Sequence, residues 1–333
     1  MTIVSGETAH DEALRRCLEE DVTPRLVGRP VRVTALDRRP SRASTSYDTE
    51  IVTAELSGGG RLEVFLKDFG RTRLPKEALR ERRQRELGVY RELIGDADLG
   101  TARYYGSVWD EEEDRYWLLL ELVEGTELRS LGVEHWIPAA GWLGRLQGRF
   151  AGSRAVIDPP PFLLRHDVAF FRTRGESARR SVERVAPALA ARMAKVLDSY
   201  EQIVGVMAAQ PPTLVHGAYR PANILIDRSN GRLRICPTDW ELAAAGSALH
   251  DLAFFCDGFE PPVLDRMWDA YGHELERAGL RAPDRAELRR VIDCFRVYRV
   301  IAWLAPAVEK RYSEDDVERL VARGELLLPL VLA

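Results

Sequence analysis

The chain lacks several features that would place it in a special class of protein. Its 333 residues contain no run of about 18 apolar residues, so no membrane-spanning segment is expected. The N-terminus has no basic start followed by an apolar run, so no signal peptide is expected. The four cysteines have neither Cys-x-x-Cys spacing nor a metal-binding pattern, which is typical of reduced, buried thiols. We therefore expect a cytoplasmic protein.

The chain also lacks a strong excess of one charge. Its formal net charge of -4 argues against nucleic acid or an anionic membrane as the main partner. An apolar fraction of 45% is ordinary for a globular protein, and the length suits two lobes with separate cores. Lysine is rare, so a lysine placed away from a solvated surface is informative. The lysines are Lys67, Lys76, Lys195 and Lys310.

Residues 214–241 carry the most specific pattern in the chain. The segment begins Leu-Val-His-Gly-Ala-Tyr-Arg-Pro-Ala-Asn-Ile-Leu-Ile-Asp and ends Asp-Trp-Glu. Apolar runs at 224–226 and 233–236 flank an Asn-Gly turn signal, which predicts a short β-hairpin. The hairpin would bring the amide oxygen of Asn223 and the carboxylate of Asp239 together. Hard oxygen ligands of this kind suit a Mg²⁺ ion that carries nucleotide phosphates.

This pattern resembles the catalytic loop and the metal-binding segment of the aminoglycoside phosphotransferase family, which shares the protein-kinase-like fold. The resemblance implies an α+β protein of two lobes. Residues 1–123 would form an N-terminal nucleotide-binding lobe with an antiparallel sheet and a helix. Residues 124–333 would form a larger, mainly helical lobe. The resemblance also implies that Asn223 and Asp239 bind Mg²⁺ and that His216 supports the catalytic loop.

The chain departs from the family at the residue after His-Gly. The family has an Asp there, which takes the proton from the substrate hydroxyl, whereas this chain has Ala218. A positioned general base is worth ~10²–10⁴ in rate, or roughly 3–5 kcal/mol of barrier. Ala218 is explained by a laboratory substitution that traps an inactive complex, by a degenerate kinase without turnover, or by another group that acts through a water. The intact Lys67, Asn223 and Asp239 favour the first explanation, because the residues of an unused metal site would be replaced over time.

Strand patterns dominate residues 31–123, which disfavours an unrelated all-helical binding protein. Lys67 follows apolar residues on one of these strands, where a charge is costly unless it is paired. Considered without the other residues, Lys67 is explained as a strand lysine whose long side chain carries the ammonium to solvent. The resemblance implies instead that Lys67 contacts the α- and β-phosphates and pairs with Glu86, or with Glu81, on the next helix. The patterns predict helices at 8–26 and 77–94 and strands at 31–35, 49–56, 62–68, 99–106 and 115–123.

Two further segments receive nucleotide roles from the resemblance. One is a hydroxyl-rich loop that would cover the phosphates, although an ordinary solvated loop explains it equally well. The other is a hinge whose backbone groups would meet the adenine edge. The residues are Ser44, Thr45 and Ser46 in the loop and Glu121, Leu122 and Val123 in the hinge.

In the C-terminal part, Asp251 at a helix start is expected to accept backbone N–H bonds and brace the catalytic loop. The resemblance places Asp257 and Glu260 in a loop that lines the acceptor pocket, although surface acidity is the ordinary explanation for both. Helices are predicted at 136–150, 169–184, 187–208, 262–279, 284–311 and 314–330.

These expectations combine into one functional prediction with alternatives. The chain, or a parent with the Asp restored, would move the γ-phosphoryl group of ATP or GTP, with Mg²⁺, to a hydroxyl group. The acceptor would be a small molecule such as an aminoglycoside or another antibiotic. The alternatives are a peptide Ser/Thr kinase of natural-product biosynthesis and a pseudokinase that binds nucleotide as a scaffold. The oligomeric state stays open.

Overall fold

The computed structural model describes residues 9–41, 46–73, 76–95 and 97–332. The chain divides into two compact units. The first unit comprises the residues up to Gly125 together with Asp227–Glu241, and the second comprises the remainder. The sequence placed the boundary between residues 123 and 124 and did not assign 227–241 to the first unit. Among the helices of the described residues, none is long and apolar enough to cross a membrane.

The strands are β1 (Val33–Pro40), β2 (Tyr47–Leu56), β3 (Arg61–Thr72), β4 (Tyr104–Asp110), β5 (Arg115–Glu121), β6 (Thr126–Glu127), β7 (Leu164–Arg165), β8 (Pro212–Val215), β9 (Ile224–Asp227), β10 (Arg234–Pro237) and β11 (Ala244–Ser247). The α-helices are α1 (Ala9–Cys17), α2 (Thr23–Val27), α3 (Leu79–Val89), α4 (Val133–Phe150), α5 (Arg154–Ile157), α6 (Val168–Val185), α7 (Ala190–Ala208), α8 (Leu249–Cys256), α9 (Val263–Arg277), α10 (Arg285–Leu304) and α11 (Glu314–Leu332).

The first unit is built on an antiparallel sheet with the strand order β1–β2–β3–β5–β4. The strands predicted at 49–56 and 62–68 are confirmed as parts of β2 and β3, and the three glycines between them have positive φ angles, which a residue with a Cβ adopts only at a cost. The predicted helix at 8–26 is also present, but a π-helical turn at Leu18–Val22 separates α1 from α2. Apolar residues of this helical segment pack on one face of the sheet and form the core of the unit. This core includes Leu14, Leu18, Val22, Val52, Val64, Leu66, Trp117 and Leu119.

One predicted strand begins later than the sequence indicated. Strand β4 starts at Tyr104, whereas the alternation predicted a strand from residue 99. The guanidinium of Arg234 donates to the carbonyl oxygens of Gly100 and Thr101 at 2.8 and 2.9 Å. These carbonyls are therefore satisfied by a side chain rather than by a neighbouring strand.

The second unit is mainly helical. Its small sheet has the order β7–β11–β8, in which β11 is parallel to β7 and antiparallel to β8. Strand β6 pairs with β9 in antiparallel register, with Thr126 opposite Ile226. The antiparallel sheet of the first unit and the helices of the second confirm the predicted α+β class.

Helices α4 and α9 approach each other closely because α4 carries glycines at helical spacing. A Cβ on Gly144 would lie 2.4 Å from the carbonyl oxygen of Tyr271, and a Cβ on Gly148 would lie 2.4 Å from the Cβ of Ala278. Any side chain at these positions would push the helices apart. The larger apolar residues predicted α4, and the role of its glycines became visible only in the structure.

The predicted helix at 284–311 is shorter in the structure, where α10 ends at Leu304 and residues 305–311 form turns. Pro306 accounts for this difference, because proline lacks the N–H that would continue the helical hydrogen bonds. The predicted extension of this helix to residue 311 was wrong.

Candidate active site

Strand β3 places Lys67 in the middle of the sheet of the first unit, between Thr49 of β2 and Leu118 of β5. The Lys67 side chain is 10% exposed, and its ammonium donates to both carboxylate oxygens of Glu86 at 2.8 and 2.7 Å. The Glu86 side chain is only 2% exposed. The predicted ion pair between the strand lysine and the helix glutamate is therefore confirmed, and Glu86 rather than Glu81 is the partner.

The electrostatics of this pair follow from its burial. Burial by itself disfavours a charged ammonium, but the carboxylates of Glu86 and Asp239 outweigh it, so the pKa of Lys67 is raised above its usual value. Burial raises the pKa of Glu86 to about 7, although Lys67 opposes this shift. Lys67 thus keeps its positive charge at neutral pH.

Asp239 follows β10 and contacts the same lysine. Its carboxylate Oδ1 accepts from the Lys67 ammonium at 3.1 Å, and the side chain is 25% exposed. Its φ angle is +68°, a left-handed conformation that a residue other than glycine adopts at a cost of about 1–2 kcal/mol. Such strain is characteristic of residues held in place for a functional contact.

A second cluster of charges surrounds Glu241, which the sequence analysis did not single out. The Glu241 carboxylate accepts hydrogen bonds from the Lys76 ammonium, from the Arg82 guanidinium at 3.1 Å and from the Tyr47 hydroxyl at 3.3 Å. The Lys76 ammonium lies 4.1 Å from the Tyr47 ring centroid, and that of Lys67 lies 5.0 Å from it. The rarity of lysine was a signal that could have drawn attention to Lys76.

In the second unit, the loop that the sequence predicts to be the catalytic loop follows β8 and is held by Asp251 of α8. The carboxylate of Asp251 accepts from the backbone N–H of His216 at 2.6 Å and from that of Gly217 at 3.0 Å. Both His216 and Asp251 are buried, with exposures of 0% and 2%. The predicted bracing role of Asp251 is confirmed by these contacts.

Steric constraints explain the glycine of the His-Gly pair in this loop. Gly217 has a φ angle of +78°, and a Cβ there would lie 2.1 Å from the carbonyl oxygen of Leu242. Only glycine fits both the left-handed backbone and this close approach.

Ala218 and Asn223 lie on the same turn of this loop. The Asn223 Nδ2 donates to the Ala218 carbonyl oxygen at 3.1 Å, and the Arg220 N–H donates to it at 2.8 Å. The Ala218 N–H donates to Nδ1 of His216 at 3.3 Å. His216 thus supports the loop, as predicted, through its ring and its backbone. The hydrogen bond of Nδ2 fixes the rotation of the Asn223 amide.

The other predicted nucleotide contacts lie in the first unit or outside the described residues. Ser44 and Thr45 lie outside the described residues. Ser46 is half-buried, and its carbonyl oxygen accepts from the N–H of Arg73 at 2.9 Å.

The predicted hinge begins at the last residue of β5. The N–H of Glu121 donates to the Arg103 carbonyl oxygen at 2.9 Å, and its carboxylate pairs with Arg234. Leu122 and Val123 follow outside any strand, and both residues are half-buried. The side chain of Glu121 therefore stabilises the first unit through its ion pair with Arg234.

The two acidic residues assigned to the acceptor loop differ in their surroundings. Asp257 is the residue after α8, and its side chain is 7% exposed. Its carboxylate pairs with three arginines, Arg296 at 3.3 Å, Arg299 at 2.9 Å and Arg323. Glu260 is exposed. Asp257 thus joins α8 to α10 and α11, so surface acidity does not describe Asp257, and its place in an acceptor pocket stays a prediction.

A Mg²⁺ ion was predicted at Asn223 and Asp239. Asn223 belongs to the second unit and Asp239 to the first. The donor chemistry fits, because Mg²⁺ takes carboxylate and amide oxygens together with phosphates and waters. In the part of the chain that the structure describes, His, Cys, Asp and Glu side chains form no group of three or more that could hold a metal ion.

The model of the phosphotransferase enzyme family, abbreviated APH, matches residues 53–290, which is more than half of the chain. The chain belongs to this family. The family includes phosphotransferases that act on small molecules, and the predicted resemblance is therefore confirmed. None of the curated protein sequences compared with the chain matches it.

Solved structures with a similar fold cover nearly all of the chain. One is an aminoglycoside phosphotransferase, so far assigned only provisionally, from Ralstonia eutropha JMP134, with 15% identity, coverage of 96% of this chain and 98% of that one, and a TM-score of 0.63. Another is the macrolide 2'-phosphotransferase MphH from Brachybacterium faecium, with 17% identity, coverage of 94% and 96%, and a TM-score of 0.58. A third is the GDP and kanamycin complex of APH(2")-IIia, with 12% identity, coverage of 92% and 96%, and a TM-score of 0.55. At these identities the likeness shows the fold.

Proposed function

We propose that this chain binds ATP or GTP and moves the γ-phosphoryl group to a hydroxyl of a small molecule, and that Ala218 impairs the transfer. The observation that carries this proposal is the buried pairing of Lys67 with Glu86 beside Asp239. A lysine held in this way keeps its charge and its direction, as a cation that neutralises phosphate oxygens requires. The GDP bound in a structure of similar fold supports a nucleotide as the phosphoryl donor.

The residues of the first unit take the following roles in the proposal. Lys67 holds the α- and β-phosphates, and Glu86 fixes the direction of its ammonium. The backbone after β5 meets the base, and the loop with Ser46 meets the phosphates. When bound, Mg²⁺ supplies positive charge to the phosphates, and Asn223 and Asp239 are the side chains proposed to hold it.

The catalytic loop of the second unit positions the acceptor in this proposal. Asp251 and His216 fix its backbone, so the side chain at position 218 has a defined place. In a chain with Asp at this position, that carboxylate would receive the proton of the acceptor hydroxyl. Ala218 has no group that accepts a proton, so we expect slow transfer.

Ala218 also favours a second candidate function, which is nucleotide binding without transfer by a scaffold protein. A peptide hydroxyl remains the alternative acceptor. The cytoplasmic location remains a prediction, and the four free, buried cysteines agree with a reducing compartment.

A comparison of three variants tests the proposal. Binding of Mg²⁺-ATP and Mg²⁺-GTP is measured by calorimetry, and transfer is measured with radiolabelled nucleotide against panels of small hydroxyl compounds and Ser/Thr peptides. We expect Ala218→Asp to increase transfer by ~10²–10⁴-fold. Ala218→Asn has the same shape without the base and should leave transfer unchanged.

Lys67→Met tests the nucleotide site itself and should weaken nucleotide binding in every background. Absence of Mg²⁺-nucleotide binding in the unsubstituted chain would contradict the proposal. Binding in all forms without transfer in Ala218→Asp would favour the scaffold.

A further inference from the structure

A series of aromatic contacts in the second unit extends from the catalytic loop to a half-buried surface. Tyr219 directly follows Ala218, and its ring lies 5.1 Å from that of Phe255. Phe255 stacks on Trp136 at 5.2 Å, and Trp136 meets Phe259 at 5.0 Å. Tyr219 and Phe255 are each 2% exposed, whereas Trp136 and Phe259 are half-buried. We call the half-buried pair, Trp136 and Phe259, the aromatic wall.

The aromatic wall is held in place by hydrogen bonds and packing. The Tyr219 hydroxyl donates to the Ala139 carbonyl oxygen at 2.7 Å, and its ring stacks on Trp142 at 5.5 Å. The Trp136 indole N–H donates to the Leu131 carbonyl oxygen at 3.4 Å. Because both ends of the series are fixed, the distance between the wall and the catalytic loop is fixed too.

Phe259 lies two residues after Asp257. The positive charges around the Asp257 carboxylate outnumber the negative ones. Three guanidinium groups surround the Asp257 carboxylate. Among the described residues, one further carboxylate pairs with this group, that of Asp293 at 2.9 Å from Arg296. The cluster therefore carries a surplus positive charge. A cationic ligand would be repelled by the surplus and would find the Asp257 oxygens occupied.

The opposing charge in this loop is Glu260, which is exposed to solvent. Exposed carboxylates interact weakly with ligands because water and salt screen them. A flat apolar ligand, in contrast, gains from covering half-buried aromatic rings next to a catalytic loop. The balance of these effects favours an uncharged, ring-bearing ligand.

We propose that the phosphoryl acceptor is a hydroxyl compound with a flat aromatic face and without positive charge, and that it lies against Trp136 and Phe259. This inference rests on the proposed phosphotransferase function. It separates this chain from an enzyme that selects a polyamine sugar such as the kanamycin bound in APH(2")-IIia.

The test compares a neutral probe with a cationic probe of nearly the same shape, and kanamycin is a third ligand. The probes are 6-ethyl-2-naphthalenemethanol, its 6-aminomethyl analogue and kanamycin, each titrated into the full chain loaded with Mg²⁺-ADP. We expect the neutral alcohol to bind at least about 10-fold more tightly than the ammonium analogue. Kanamycin should bind more weakly than the neutral alcohol.

Variants of the aromatic wall localise the binding. Phe259→Ala and Trp136→Leu should each weaken binding of the neutral alcohol by about 5-fold or more and leave ADP affinity unchanged. Trp109→Ala is the matched control, because Trp109 is a half-buried tryptophan of the first unit that packs on Tyr116. It should leave binding of the alcohol unchanged.

Three results would overturn the inference: no binding of the neutral alcohol, equal or tighter binding of the ammonium analogue, or unchanged affinity in both wall variants. ADP affinity and transfer by Ala218→Asp are measured in the same preparations. Loss of those activities contradicts the phosphotransferase proposal, whereas their presence with a failed probe comparison contradicts the acceptor class alone.

Discussion

The buried pair of Lys67 and Glu86 leads to a prediction about stability. Removing only one of the two charges should destabilise the fold more than removing both. We compare Lys67→Met with the double variant Lys67→Met/Glu86→Leu. The single variant leaves a carboxylate that is only 2% exposed without its ammonium. The double variant replaces both charges with apolar groups of similar volume.

The expected magnitudes follow from this burial. Removing one partner of a buried ion pair costs about 3–5 kcal/mol, because an uncompensated charge is left inside. Replacing both partners with apolar side chains is often close to neutral. Asp239 also loses its contact with Lys67, but its side chain is 25% exposed, so we expect that loss to be small. The double variant should therefore be about 2–4 kcal/mol more stable than the single variant.

The stability of the single variant should also depend on pH. The pKa of Glu86 is already raised to about 7 by burial, and Lys67 opposes that rise. Without Lys67 the folded-state pKa must rise further. A carboxyl group with a raised folded-state pKa contributes stability at low pH that is lost as the pH rises through this value. Between pH 7 and pH 8 the single variant should lose up to about 1.4 kcal/mol of stability, whereas the unsubstituted chain, in which Glu86 is already partly ionised, should lose less.

Urea denaturation at pH 6, 7 and 8, followed by tryptophan fluorescence, measures these differences. Trp117 is buried in the core of the first unit and reports on it. Two results would contradict this account of the ion pair: equal instability of the double and the single variant, or a stability difference between the single variant and the unsubstituted chain that does not grow with pH.

Three further predictions concern the loop and the thiols. Asp251→Asn should destabilise the chain by about 2–3 kcal/mol, because the two loop N–H groups bond to different carboxylate oxygens and the amide replaces one of these with an NH2 donor. The exposed Asp315→Asn should change stability by less than about 0.5 kcal/mol in the same denaturation assay. Gly217→Ala should cost clearly more than Gly152→Ala in thermal unfolding. Both glycines have positive φ angles, but only at Gly217 would a Cβ meet the Leu242 carbonyl oxygen, so equal losses would contradict the steric argument. A thiol reagent at pH 8 should label the native chain slowly and the denatured chain four times, and rapid native labelling would contradict the buried state. Burial raises the pKa of each thiol, to about 12 for Cys17 and Cys236, to about 11 for Cys294, and above its usual range for Cys256.

The pairing of Lys67 and Glu86 shows what a local pattern can predict. An isolated lysine after apolar strand residues needs a buried partner, and the next helix offered few acidic residues on its apolar side. The strands at 224–227 and 234–237 were predictable for a similar reason, because apolar runs around an Asn-Gly turn leave few alternatives. These features depend on neighbours in the sequence.

The surroundings of Glu241 and Asp257 were not predictable in this way. Glu241 meets Tyr47 across 194 positions of sequence, and Asp257 meets Arg323 across 66. No period or spacing relates such distant residues, and the many arginines of this chain offer numerous alternative partners. Which carboxylate becomes neutralised, and which remains for a ligand, is decided only when the helices pack.

The amino-acid sequence by itself determined the family, the α+β class, the lysine that is paired inside the sheet, and the alanine in the catalytic loop. These depend on residue type and short-range order, which propensity and the cost of burying charge control. The tertiary structure alone decided that three arginines neutralise Asp257 and that aromatic rings lead from Tyr219 to a half-buried surface. Both arrangements join segments far apart in the chain, and only close packing brings such segments into contact.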